Sequence, residues 1–175
     1  MLGETWKDQY KRLQRQHGLV EMSADPNIDY NELLHDQAHA RDILYHFCCD
    51  AFHLHDWIKN SRLRRNNIQA DLRRLLNTKA TGTSAALSAC ADIANGSKHL
   101  KLTRLSYTTG RTRGHARVVD HTQGVRLPAK LPFHFGANYF TIEFRGVPRD
   151  ALDVTRAAVA DWDTWLKDHG VRLPT

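Results

Sequence analysis

Cysteine is scarce, with only Cys48, Cys49 and Cys90 in 175 residues. An odd set with two sequence neighbours excludes a disulfide framework, because adjacent cysteines close a bond only with strain. Reduced, mostly buried thiols are expected. Long apolar runs are also lacking. No segment approaches the ~20 residues of a membrane-spanning helix, and the opening Met1-Leu2-Gly3-Glu4-Thr5-Trp6-Lys7 has no apolar stretch of the signal-peptide kind. A cytoplasmic protein without a membrane partner is the expectation. There is no internal repeat, which excludes a solenoid. Two catalytic signatures are missing as well: no Gly-x-Ser-x-Gly turn occurs, and Gly96-Ser97-Lys98 lacks the first half of a phosphate-cradling loop. Cys48 and Cys90 sit in apolar helical contexts that raise a thiol pKa, which argues against a cysteine nucleophile.

What is present describes a globular chain. Hydrophobic residues make up 41% and charged residues 25%, and the length suits one domain with its own core. The fold class expected is mainly α (α+β): an antiparallel helical bundle over about 4–100, a small antiparallel β-sheet insert over about 101–146, and a C-terminal helix over about 149–168. Trp6, Tyr10 and Leu13 mark one edge of a first helix ending at His17-Gly18. A long helix over about 29–60 carries Leu33, Ala40, Leu44, Phe47, Ala51, Leu54 and Ile58 at spacings mostly of three and four. A third is expected over 63–76, then a loop through Ala80 and Thr81, and a fourth helix over 85–95 rich in alanine and stopped by Gly96. Leu105 to Thr109, Ala116 to Val119 and Tyr139 to Phe144 are β-rich.

The net charge is +6, and its distribution matters more than its size. One basic run holds Lys59, Arg62, Arg64, Arg65, Arg73 and Arg74. A second holds Lys98, Lys101, Arg104, Arg111, Arg113, His115 and Arg117. This pattern permits attraction to RNA or to an acidic surface, and a plainly solvated surface is the alternative for both runs.

Histidines recur on the long helix: His35, His39, His46 and His53 fall within about 40° of one another at helical spacing. Asp36 to His39 and Asp50 to His53 repeat an acid-x-x-His spacing found in di-metal bundles. Residues 61–99 offer only Asp71 and Asp92 as further acids, so neither a metal nor another cofactor is expected, and a polar seam is the simpler role. Two segments stand out. His53, Asp56 and Trp57 lie at i, i+3, i+4, where packing of Trp57 and pairing of Asp56 with His53 is the plain alternative. Asn95, Lys98 and His99 gather at a helix end, where capping is the plain alternative. Together these six residues form the expected ligand-binding pocket.

The segment Ala94-Asn95-Gly96-Ser97-Lys98-His99 resembles the signature of the HEPN superfamily of helical-bundle proteins, many of them RNases. That signature is an Arg, four to six residues, then a His, often with Asn directly after the Arg; here Ala94 stands where the Arg belongs. Arg41-Asp42-Ile43-Leu44-Tyr45-His46 carries the Arg, but i and i+5 on a helix differ by about 140°. The resemblance implies that Arg stabilises phosphate charge, that His handles protons at the scissile ribose, and that the site is composite across a homodimer. His99 and His46 are then the catalytic candidates, with Lys98 or Lys101 in place of the Arg. Three functions follow: RNA or phosphate-ligand binding, metal-independent RNA cleavage, and a non-catalytic interaction module.

Overall fold

The computed structural model describes residues 3–28, 32–61, 63, 66–78, 82–99 and 102–174. Several positions singled out above lie outside the described residues: 29–31, Arg62, Arg64, Arg65, Ala80, Thr81, Lys101 and the side chain of Leu33. Among those described, the elements are α1 (Trp6–Ser23), α2 (Glu32–His35), α3 (Gln37–Lys59), α4 (Asn66–Leu75), α5 (Ala85–Lys98), β1 (Arg117–Gly124), β2 (Ala137–Phe144), β3 (Val147–Asp150) and α6 (Ala151–Asp168). The protein is mainly helical, with a small three-stranded antiparallel sheet.

Helix α3 is the centre of the bundle. Its stripe of Ala40, Ile43, Leu44, Phe47, Ala51, Leu54 and Ile58 is buried, and Cys48 completes the covered surface. Helix α1 packs on one flank through Trp6, Tyr10 and Leu13. Its start is fixed by a capping box in which Thr5 and Asp8 satisfy each other's backbone N–H groups. The pairing of α1 with α3 is pinned by Gln9, buried, whose Nε2 donates to the Asp50 carbonyl and carboxylate at 3.2 and 2.8 Å. Helix α6 closes another flank: Tyr10 donates to Asp163 at 2.7 Å, and Trp162 Nε1 donates to the Ala51 carbonyl at 3.0 Å.

Three helix boundaries differ from the sequence reading. Gly18 does not end α1, which continues to Ser23 because Val20 still has core to cover. The long helix is broken: Asp36 leaves helical geometry and accepts from the His39 N–H as an N-cap, so α2 and α3 are separate. His35 is thereby split from the histidine row and lies buried against His134, ring centroids 4.2 Å apart. Gly96 does not stop α5, which runs on to Lys98.

In the sheet, β2 is central and pairs with both neighbours. Phe140, Ile142 and Phe144 point from it into the helical core. Residues 105–109 do not form the expected strand; they make turns for a reason given below. β3 was not foreseen, and Pro148 is tolerated there because β3 is an edge strand. β2 and β3 join through Arg145 and Gly146, both at positive φ (54° and 74°), the two-residue hairpin geometry that matches strand twist.

Candidate functional site

Helix α5 crosses α3 with its small residues inward: Ala86, Ala89, Ala91 and Ala94 are buried. That close approach carries the last residue of α5 onto the flank of α3, where Lys98 Nζ lies 3.1 Å from His53 Nε2. A lysine ammonium has no acceptor capacity, so the imidazole must accept, which makes Nε2 the unprotonated nitrogen. Burial first, and the Lys98 charge second, hold His53 below the ordinary histidine range, against the opposing pull of Asp50 and Asp56. His53 is therefore a neutral base facing a cation.

The surroundings are partly aromatic. Phe52 packs edge-on against Tyr107, centroids 5.4 Å apart. Burial and then the nearby Asp56 carboxylate push the Tyr107 phenol up. Cys49 Sγ lies 3.9 Å from Ser97 Oγ, which also donates to the Ala94 carbonyl at 2.9 Å. Asn95 is half-buried, whereas His99 is exposed, in extended geometry just past the helix.

Asp56 and Trp57 face elsewhere. Asp56 pairs with His55 Nδ1 at 3.1 Å, not with His53, and this bond leads the effects that hold its carboxyl below the usual range. Trp57 lies under the Arg12 guanidinium, 5.9 Å from the ring centroid, and with Asp56 it lines a cleft of about 790 Å³ against the start of α1. Of the six residues grouped from the sequence, His53 and Lys98 meet, Asp56 and Trp57 line this second cleft, and Asn95 and His99 sit at the end of α5 with no side-chain hydrogen bond to either group among the described residues. His46 is exposed two turns before His53, roughly 10 Å along the axis at 1.5 Å per residue. No hydrogen bond joins His46 to His99 among the described residues. Arg41 and His46 stay on different faces because α3 is regular between them.

Sequence reasoning missed the residue that organises this end of the molecule. Asp92, on α5 and fully buried, accepts five hydrogen bonds from the following loop. The donors are the hydroxyls of Ser106 and Thr108 at 2.6 Å each and the backbone N–H groups of Tyr107, Thr108 and Ala116 at 2.7 to 3.3 Å. This is why 105–109 turns rather than extends: its polar groups are spent on one carboxylate. The loop so held displays Arg104, Arg111 and Arg113 to solvent, and His115 Nε2 contacts the Arg104 carbonyl at 3.1 Å. No carboxylate is within ion-pair distance of Lys98, Arg104, Arg111 or Arg113 among the described residues.

Among the described residues, no cluster of three or more His, Cys, Asp or Glu is placed to hold a metal ion, and no helix is long and apolar enough to cross a membrane. Comparison with protein-family models, with curated proteins and with solved structures finds no match.

Proposed function

We propose that this protein binds RNA through the basic surface formed by the end of α5 and the loop that Asp92 holds against it. The carrying observation is the contact of Lys98 with a neutral His53 at the end of α5, the same helix whose Asp92 holds a loop of arginines that lack carboxylate partners among the described residues. Unpaired cations on a rigid support gain most from a polyanion, because each neutralised phosphate releases condensed counterions. The HEPN likeness belongs to this reading. Lys98 does the charge-stabilising work of the family's Arg, and Asn95 and His99 flank it. In the family such sites are completed across a homodimer; the small-residue face of α5 is spent on packing within this chain, so a dimer would have to form through another surface.

Fluorescence anisotropy with a mixed-sequence single-stranded RNA tests the proposal. Affinity should fall as salt rises, with a log–log slope reduced by about 0.7 for each phosphate contact removed, as in Lys98→Ala. No affinity at 50 mM salt, or affinity indifferent to salt, leaves the non-catalytic interaction module as the better account.

A ribonuclease reading has one observation in its favour: a neutral imidazole lies beside a cation, and once Lys98 turns from Nε2 to a developing phosphorane charge that nitrogen is free to act as general base. Cleavage of labelled RNA in EDTA, lost in His53→Ala or His99→Ala and retained in His46→Ala, supports it. Intact RNA after prolonged incubation removes it.

A further inference from the structure

Arg145 is the one non-glycine residue at positive φ among the described residues. The first position of a two-residue hairpin of this type favours Asn, Asp or Gly: at φ 54° a Cβ crowds the carbonyl, Gly has none, and the short polar side chains of Asn and Asp offset the cost by local hydrogen bonds. Strain of this kind persists where the surroundings hold the residue for another purpose. Here Arg145 Nε donates to the Thr108 carbonyl at 2.9 Å, and Thr108 is itself tied to the buried Asp92. The anchor uses Nε and leaves both terminal nitrogens without a partner among the described residues. The guanidinium is thus fixed at its base and open at its fork.

Beside it lies a cleft of about 420 Å³, separate from the His53–Lys98 contact, lined by Arg111, Arg113, His115, Arg145, Thr109 and Glu143 among others. Its carboxylate, Glu143, is engaged by Arg117 at 3.3 Å. Three arginines therefore share a concave space with one carboxylate that is already ion-paired from outside it, an excess of positive charge that an anion relieves. Arginine forks match phosphate oxygens in pairs, and the volume admits a diphosphate. We infer that the cleft between the 109–115 loop and the Arg145 turn is a phosphate-binding site, with Arg145 as its fixed fork. Two sources carry that group, the terminal phosphate of an RNA strand and a free small phosphate compound, and this inference stands whether or not Lys98 binds RNA.

Isothermal titration of the whole protein with pyrophosphate in a chloride buffer is the direct test. Arg145→Asn suits the turn and lacks the fork; it should fold at least as well by thermal melting and bind pyrophosphate at least tenfold more weakly. Arg145→Lys keeps the charge but loses both the anchor and the planar fork, and should fall between. Arg111→Ser, on an exposed loop, should weaken binding about threefold without moving the melting temperature. Lys98→Ala should leave pyrophosphate binding unchanged, which separates this cleft from the Lys98 end of the surface proposed above, although Arg111 and Arg113 belong to both. A parallel comparison of one RNA oligonucleotide with a 5′-phosphate or a 5′-hydroxyl identifies the source. Preference for the phosphorylated end points to RNA termini, and pyrophosphate binding without that preference points to a free compound. The inference fails if wild type does not bind pyrophosphate, or if Arg145→Asn and Arg111→Ser both bind as wild type does.

Discussion

The Lys98 ammonium donates to His53 Nε2 across 3.1 Å, so the imidazole faces a cation rather than either neighbouring carboxylate. Each charge state of His53 is thereby coupled to α5, an element thirty-odd residues later in the chain.

That coupling sets a pH dependence. His53 and His17 are both held below the ordinary value of about 6.5, each chiefly by burial. The unfolded chain therefore binds more protons than the folded one just below that pH. Stability from these groups is complete above about pH 6.5 and is lost as pH falls through their depressed folded values. Imidazole NMR titration should place His53 below an ordinary histidine. Lys98→Met should move it upward without fully restoring it, because burial remains. An unchanged titration in that variant would contradict the contact.

Asp92→Asn should cost roughly 3 kcal/mol in urea unfolding, because an acceptor of five hydrogen bonds is replaced by a group that presents donors to donors. Limited proteolysis of the variant should cut first within residues 104–116. A cost below about 1 kcal/mol would mean that the loop is held by something else.

Trp162→Phe keeps a ring in the core but removes the indole donor to Ala51, and should cost about 1–2 kcal/mol. Trp162→Ala adds a cavity and should cost about 3–5 kcal/mol. Equal losses in the two variants would show that packing is negligible there.

The cysteines should react unequally. A hydrogen bond with Cys90 and complete burial push the Cys48 thiol well up, and Cys90 is likewise buried, whereas Cys49 is only partly covered. A disulfide reagent at pH 8 should titrate one thiol quickly in the native protein, and Cys49→Ser should abolish that phase. Three equally fast thiols would place the whole set at the surface.

How far the chain could be read follows from where its signals are redundant. The stripe from Ala40 to Ile58 is repeated at every turn of α3, so the central helix was legible. Single-residue signals were weaker. Gly18 and Gly96 resemble stops, yet Val20 has core to cover beyond the first and Lys98 has His53 to reach beyond the second. The gathering of Asn95, Lys98 and His99 at one helix end was readable from spacing; the facing of Asp56 and Trp57 toward α1 was not, because it depends on which helix takes which flank of α3. Asp92 was hidden for a different reason. Its partners lie 14 to 24 residues away, and only two signals hinted at it: an acid in an alanine-rich helix, and Ser106-x-Thr108-Thr109-Gly110, which is turn chemistry. Arg145 had no such hint, since its significance lies in a backbone angle.

The indole of Trp162 reaches a carbonyl at mid-length of α3 that a regular helix already commits to the N–H four residues on. Such a peg through the side of a cylinder prevents it from rolling about its long axis. His53, two positions further along α3, is thus presented at a preset bearing, and whatever docks there meets a finished mould instead of one that must first be turned into place.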